Sequence, residues 1–373
     1  MTVRRVLMTA DAVGGVWTFA LELARSFAAR GVRTDLAVLG PPPSRAARRD
    51  AERIVGLGLH VGTFALEWTA DPWASIEQAG AWLLELERRV QPDLVHLNDY
   101  ASGSLPWSAP VVITGHSCVL SWHEAVHGSS AGPEWDRYAR EVRRGLQAAR
   151  RVAAPTGAML ESLQRHYGPL PAARVIPNGR SAARFRRGPK RDRVLALGRA
   201  WDPAKNVALV DRVAARLPWP VHVAGSTQGP SGQTLALEHA VALGPLESDA
   251  MIEELAAASI ASHPSLYEPF GLGALEAGLS ACALVLGDIP SAREVWEDGA
   301  SYVPPRDGAA LEDALRRLIL DPRARRDAGR RALDRALTFT PERTAAKYLR
   351  LYAEAAVDGA PRSDLAATAA HEG

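Results

Sequence analysis

The sequence predicts an α/β protein built from two parallel-sheet domains. Its 373 residues exceed what one ordinary core holds, and 47% hydrophobic content suffices for two. Short apolar runs alternate with stretches of helical spacing along the chain, the pattern of parallel strands joined by helices. One stretch, residues 263–278, reads as the end of a strand, a Pro/Gly loop and a helix, with one acid on the loop and one on the helix.

Composition removes several function classes. A net charge of +2 gives no electrostatic case for nucleic-acid binding. The two cysteines, Cys118 and Cys282, are too far apart to suggest a disulfide framework. The first apolar run is cut by Asp11 and lacks the longer apolar region of a signal peptide. No stretch approaches the roughly 20 apolar residues of a membrane span. The expected location is therefore cytoplasmic. Of 44 basic residues only Lys190, Lys205 and Lys347 are lysines. A lysine kept against that bias hints that a compact ammonium is wanted.

In chain order, residues 5–10 read as the first strand. Residues 16–30 read as a helix with Phe19, Leu23 and Phe27 on one face. Gly14-Gly15 lies between them, where a parallel sheet binds ligands at strand carboxyl ends; a tight turn accounts for the pair equally well. Residues 34–39 read as the second strand and residues 41–49 as a Pro/Arg-rich loop. Residues 94–99 and 111–116 read as strands whose polar ends, His116 among them, face a cleft.

His123-Glu124-Ala125-Val126-His127 matches H-E-x-x-H, a zinc metalloprotease pattern with Glu124 as base. Gly128 follows at once and leaves little helix, and Ser130 and Pro133 stand where the longer motif needs Gly and His. Chance is the favoured reading. Residues 134–151 read as an arginine-rich helix with a solvated face; the alternative is peripheral contact with an anionic membrane surface. Seven of the ten tryptophans precede residue 140. Trp68, Trp73, Trp107 and Trp122 are candidates for stacking on a sugar or another apolar ligand face.

Residues 184–191 form a basic linker, and residues 193–197 the next strand. Asn206 reads as the N-cap of a helix to residue 217. Residues 221–225 read as a strand, and residues 248–258 as a helix. In the central stretch, residues 259–262 form a strand, and Pro264 and Pro269 forbid regular structure. Gly271 and Gly273 let backbone approach a ligand. From about Gly273 the spacing of Leu275, Leu279 and Ala283 suits a helix, whose free N–H groups and positive dipole end make an anion site. Glu268 and Glu276 bracket that site. Acids beside a phosphate make sense if they hold hydroxyls, as a sugar or ribose requires. Residues 283–286 read as a strand, and residues 341–355 as the last helix.

The run Ser265-Leu266-Tyr267-Glu268-Pro269-Phe270-Gly271-Leu272-Gly273-Ala274-Leu275-Glu276-Ala277-Gly278 resembles the E-x7-E signature of retaining GT-B glycosyltransferases of the family-four type (group 1). Val175-Ile176-Pro177-Asn178-Gly179 resembles the V-I-P-N-G before that family's second domain, although Arg180-Ser181 stands where an acid is usual. The element from Gly198-Arg199 to Lys205-Asn206 resembles the one that grips the donor diphosphate.

The resemblance implies a GT-B fold, two Rossmann-like domains facing a central cleft. Residues 1–180 become the acceptor domain and 181–340 the nucleotide-sugar donor domain. Residues 341–356 become a helix crossing back to the first domain, and 357–373 a disordered tail. It implies retaining transfer from a nucleotide-diphosphate sugar to a carbohydrate, lipid or small-molecule acceptor, with no cofactor and no metal; the absence of a D-x-D motif agrees. By resemblance, Arg199 and Lys205 stabilise the leaving diphosphate, and Glu276 holds the ribose. Glu268 holds the donor sugar with backbone at Phe270, Gly271 and Leu272. Gly244 and Leu246 border the base and ribose, Gly15 approaches the phosphates, and His116 lies near the sugar. A nucleotide-sugar epimerase or hydrolase on the same fold is the alternative, and a zinc protease a remoter one.

Overall fold

A computed structural model describes residues 3–229 and 232–357. The first sheet contains β1 (Arg5–Asp11), β2 (Arg33–Leu39), β3 (Leu57–Val61), β4 (Leu94–Leu97), β5 (Val111–Thr114), β6 (Arg151–Ala154) and β7 (Arg174–Val175). The second contains β8 (Arg191–Leu197), β9 (Val221–Ala224), β10 (Val241–Gly244), β11 (Ala258–His263), β12 (Ala283–Gly287) and β13 (Ser301–Val303). Their orders are β3-β2-β1-β4-β5-β6-β7 and β10-β9-β8-β11-β12-β13, with every pairing parallel. The central strands are continuous apolar runs, such as Leu284-Val285-Leu286, because helices cover both faces. Strand order reverses between β1 and β4 and again between β8 and β11. Loops diverge there and leave a crevice at the strand carboxyl ends.

The helix Gly15–Ala28 buries Phe19, Leu23 and Phe27 against the first sheet, as its periodicity predicts. The last helix, Pro341–Val357, inserts Tyr348, Leu351, Tyr352 and Ala355 into the same core. There the Tyr352 hydroxyl shares a 2.6 Å hydrogen bond with His96 Nδ1, and His96 Nε2 shares one of 2.7 Å with Thr114 Oγ1. Thr114 in turn meets the Tyr348 hydroxyl at 2.9 Å. Burial pushes the His96 pKa down to about 3, with the nearby His116 adding to the effect, so the imidazole is neutral. A buried polar chain with every member paired specifies how this helix docks.

Several local expectations change. Part of the expected loop at 41–49 is helical: Arg45–Glu52 forms a helix whose N-cap Ser44 accepts from the Ala47 N–H, and only Ala51 is buried. Helix Trp73–Val90 and β3 were not legible as separate elements. Arg151 opens β6, and the arginine-rich helix ends at Ala148. Several of that helix's arginines engage protein: Arg137 stacks on Trp73 at 4.8 Å, and Arg144 pairs with Glu141 at 2.7 Å. Asn206 does not cap helix Val207–Ala214 through its side chain. It sits in the left-handed region (φ 56°), and its amide donates to Pro264 O and Pro305 O at 2.9 and 2.6 Å. Val357 closes the last helix, and residues 358–373, where the tail is expected, lie outside the described residues. Among the described residues no helix is long and apolar enough to cross a membrane.

Candidate active site

The site assembles from loops at the two reversals of strand order. After β8, Arg199 donates from Nη2 to Asp202 Oδ2 at 2.9 Å. Asp202 Oδ1 accepts from the Ala204 N–H and, across the cleft, from Trp122 Nε1, both at 3.0 Å. Lys205 ends the short turn Pro203–Lys205 and donates to Glu268 Oε2 at 2.6 Å. The loops carrying these partners are stitched together. The Leu266 N–H donates to Ala204 O at 2.8 Å, and Asn206 bridges to Pro264 O. The lysine and the acid are therefore set by backbone, not by their mutual attraction alone.

After β11 the chain turns through Gly271 into helix Leu272–Leu279. Gly271 is left-handed (φ 89°), a conformation that costs other residues about 1–2 kcal/mol. No side chain caps this helix, so its first N–H groups are free for an anion. The Phe270 side chain is buried in the second-domain core against Phe339, leaving its backbone for the loop. Leu272 Cδ1 lies 3.1 Å from where a Cβ on Gly15 would stand, and Arg199 Nη1 3.5 Å from a Cβ on Gly14. The glycine pair is thus a point where the first domain meets the second. Glu276, in the second turn, accepts at Oε1 from Arg180 Nε at 2.9 Å.

Gly244 and Leu246 stand further out. Gly244 O accepts from the Gly225 N–H at 2.8 Å, and Leu246 packs on the second-domain core. No hydrogen bond described here joins either of them to the Lys205–Glu268 pair. His116 follows β5, packs edge-on to Phe19 at 4.6 Å, and shares a 2.7 Å hydrogen bond with Asn98 Oδ1. Asn98 donates its amide to Thr9 O at 2.6 Å, so its oxygen faces His116 as an acceptor. That makes Nε2–H the donor and leaves Nδ1 an acceptor. Burial lowers the His116 pKa to about 3, and the ring is neutral.

Residues that the motifs did not reveal complete the site. Asp11, Asp99 and Glu67 gather on the first-domain wall, with Thr9 Oγ1 donating to Asp99 at 2.7 Å. Glu67 accepts from the Tyr100 N–H at 3.1 Å and the Ala101 N–H at 3.0 Å. Burial, reinforced by the Asp99 charge, nonetheless raises its pKa from 4.5 to about 8. The folded state therefore holds a proton that the unfolded state releases, and stability falls as pH rises between those values. Glu67→Gln removes that slope. Raising pH from about 5 to about 9 is expected to lower the melting temperature of the wild type more than that of the variant. Parallel melting curves would refute the assignment.

His263, which closes β11, is the second omission. Its Nε2 is buried without a partner, and burial lowers its pKa to about 4, against the pull of Glu268. Its position directly before Pro264-Ser265 was the signal available in the sequence. Bonds between the domains hold the central loop. The Tyr267 hydroxyl accepts from the Cys118 N–H at 3.1 Å, and Thr156 Oγ1 donates to Pro269 O at 2.9 Å. Glu294 accepts from Gly157 N at 2.7 Å and Ala158 N at 3.0 Å.

The H-E-x-x-H run does form a helix, Val119–His127, longer than its sequence suggests, with its two imidazoles 4.8 Å apart. Glu124 is engaged by Arg165 at 3.2 Å and His166 at 3.3 Å. Among the described residues no group of three or more His, Cys, Asp or Glu is arranged to hold a metal ion. A zinc protease needs a third ligand that this helix does not meet.

Two Rossmann-like domains across a cleft, closed by a C-terminal helix returning to the first, make a GT-B fold. Solved structures share it. Sucrose-phosphate synthase from Thermosynechococcus elongatus superposes with a TM-score of 0.76 at 17% identity, over 94% of this chain and 98% of that one. Anabaena HepE in complex with UDP and glucose superposes at 0.74 and 16% identity, over 94% and 99%. In sequence, residues 13–184 match the profile described as Glycosyltransferase Family 4, and residues 191–321 that of Glycosyl transferases group 1. A D-inositol 3-phosphate glycosyltransferase from Kineococcus radiotolerans is 30% identical over 413 aligned positions, covering 94% of this chain and 93% of the relative. A glycogen synthase from Mycobacterium tuberculosis is 27% identical over 302 positions, covering 74% and 72%. The chain belongs to the family-four, group 1 glycosyltransferases, and it is an enzyme.

Proposed function

We propose that the enzyme moves a sugar, with retention, from a nucleoside-diphosphate sugar to an acceptor held against the first domain, without a metal ion. The convergence of Lys205, Arg199 and the uncapped helix start at Leu272 carries this reading. A departing nucleoside diphosphate gains negative charge as the sugar bond breaks. Two fixed cations and a helix N-terminus meet that charge without reorganising. The Lys205 ammonium has three N–H groups, one of them on Glu268, which leaves two for phosphate oxygens. Glu268 is then held where it accepts from donor-sugar hydroxyls, and Glu276 from ribose hydroxyls. Gly244 and Leu246 border the base only if the donor reaches the edge of the second sheet. Acceptor hydroxyls enter from the side of Asp11, Asp99 and His116. UDP and glucose in the Anabaena structure support a nucleotide-sugar donor, and the inositol-phosphate relatives support a polyol acceptor.

The test is thermal stabilisation by UDP-, GDP- and ADP-sugars with EDTA present, followed by product analysis with and without inositol phosphate and glucans. A ligand at one hundred times its Kd adds about 2.7 kcal/mol. A shift with one base, and an acceptor-dependent product of retained anomeric configuration, are expected. Sugar release independent of any acceptor would instead mark a hydrolase or epimerase. Stabilisation by zinc alone would end the proposal.

A further inference from the structure

The cluster around Glu276 has a feature that donor binding by itself does not require. Arg180 lies in the segment joining the two sheets, and its guanidinium is shared between the domains. Its Nε and Nη2 reach the same oxygen of Glu276, Oε1, at 2.9 and 2.8 Å. Its Nη1 donates to Oε1 of Glu22 at 2.6 Å. Glu22 belongs to the first-domain helix Gly15–Ala28 and Glu276 to the second-domain helix Leu272–Leu279. The side chains are 12%, 5% and 14% exposed for Arg180, Glu22 and Glu276. Arg180 is itself fixed, with its N–H on Phe339 O at 3.1 Å and its guanidinium over the Phe185 ring at 5.3 Å.

Oε1 accepts from Arg180 Nε and lies 2.8 Å from Nη2 in the same ion pair, so the guanidinium occupies that oxygen. Among the described residues no hydrogen bond ends on Oε2. The rigid fork of the guanidinium, anchored at its far side by Glu22, thus fixes the rotation of the carboxylate and turns one oxygen outward. A glutamate presented in this way recognises a pair of neighbouring hydroxyls, each donating to the same oxygen. We propose that Arg180 is a positioning residue that makes Glu276 selective for nucleotides with an intact ribose diol; this rests on the donor reading given above. Removing the guanidinium frees the carboxylate to rotate, so the ribose hydroxyls lose their preset acceptor, while contacts to phosphate and base stay as they were.

The experiment is calorimetric titration of wild type, Arg180→Ala and Glu22→Gln with UDP, GDP and ADP and with their 2′,3′-dideoxy forms. Wild type is expected to prefer the ribonucleotide over its dideoxy form by about tenfold or more, the value of a hydrogen bond to a charged group. In Arg180→Ala that ratio is expected to collapse to within about threefold, with dideoxy affinity unchanged. Glu22→Gln leaves an acceptor oxygen but removes its charge, so it weakens the far anchor without touching Glu276, and is expected to give an intermediate ratio even where Arg180→Ala folds poorly. A variant that keeps the wild-type ratio overturns the proposal. So does an equal loss of affinity for both forms, which would show that Arg180 only supports the fold. Wild type that binds a nucleotide without discriminating removes the ribose role of Glu276, and the proposal with it. Wild type that binds none of the six removes the donor reading itself.

Discussion

Lys205→Ala is expected to lower kcat/KM by about 30- to 1000-fold, equivalent to about 2–4 kcal/mol of transition-state stabilisation. The size follows from geometry and charge. The ammonium is held by a turn stitched to the Glu268 loop, and in the proposed reaction it meets the leaving diphosphate as that group becomes more anionic. Water can supply a hydrogen bond to the ground-state phosphate, but it must reorganise to supply one to the departing phosphate. The substitution also strips Glu268 of its 2.6 Å partner, which loosens the carboxylate that the proposal assigns to the donor sugar. Lys205→Arg is expected to rescue little, because a planar fork does not replace a compact ammonium between two oxygens. Steady-state kinetics with the donor identified in the binding panel, together with a wild-type circular dichroism spectrum, checks this. Turnover near wild type in a folded Lys205→Ala protein would exclude the assigned role.

Tyr352→Ala is expected to destabilise the protein by about 3–5 kcal/mol, the range for deleting a large buried aromatic. Tyr352 is fully buried, meets Phe27 edge-on at 5.6 Å and satisfies His96 Nδ1. The alanine leaves a cavity and an unpaired ring nitrogen together. Tyr352→Phe keeps the packing and removes only the hydroxyl, and it is expected to cost about 1–3 kcal/mol. Urea denaturation read by tryptophan fluorescence and by circular dichroism measures both. Two domains need not unfold in one step, so the transition of the first domain is the one to follow. A change below about 1 kcal/mol for the alanine would mean that the last helix is not part of the first-domain core. The functional consequence is geometric: this helix follows the second domain and inserts into the first, so loosening it frees the two halves of the cleft.

Much of the catalytic half was legible because its signals are local. Gly271 and Gly273 announce a close backbone approach, and the strand, Pro/Gly loop and helix around them follow from spacing within sixteen residues. Glu268 and Glu276 are placed by that same short run, and Lys205 stands out in a chain that otherwise uses arginine. The Asn206 expectation failed for a long-range reason. An asparagine before a helix normally caps it, but here the amide is drawn off by two carbonyls distant in sequence, on the Pro264 and Pro305 loops. Helix Arg45–Glu52 was hidden because it buries almost nothing and so shows no apolar stripe.

What the sequence determined by itself is the alternation of strand and helix, the two-domain fold and the glycosyltransferase family to which its motifs belong. These depend on residues near one another along the chain. Tertiary structure alone decided which distant groups meet. Arg180 joins Glu22 and Glu276 across 158 and 96 residues, and Trp122 reaches Asp202 across 80. Glu67 meets Tyr100 across 33 residues, and its carboxyl takes up an acid's least usual role, a proton held near neutral pH. No periodicity encodes such meetings. They arise because strand order reverses between β1 and β4 and between β8 and β11, and the loops at these two reversals meet across the cleft. The last helix follows the second domain and packs into the core of the first.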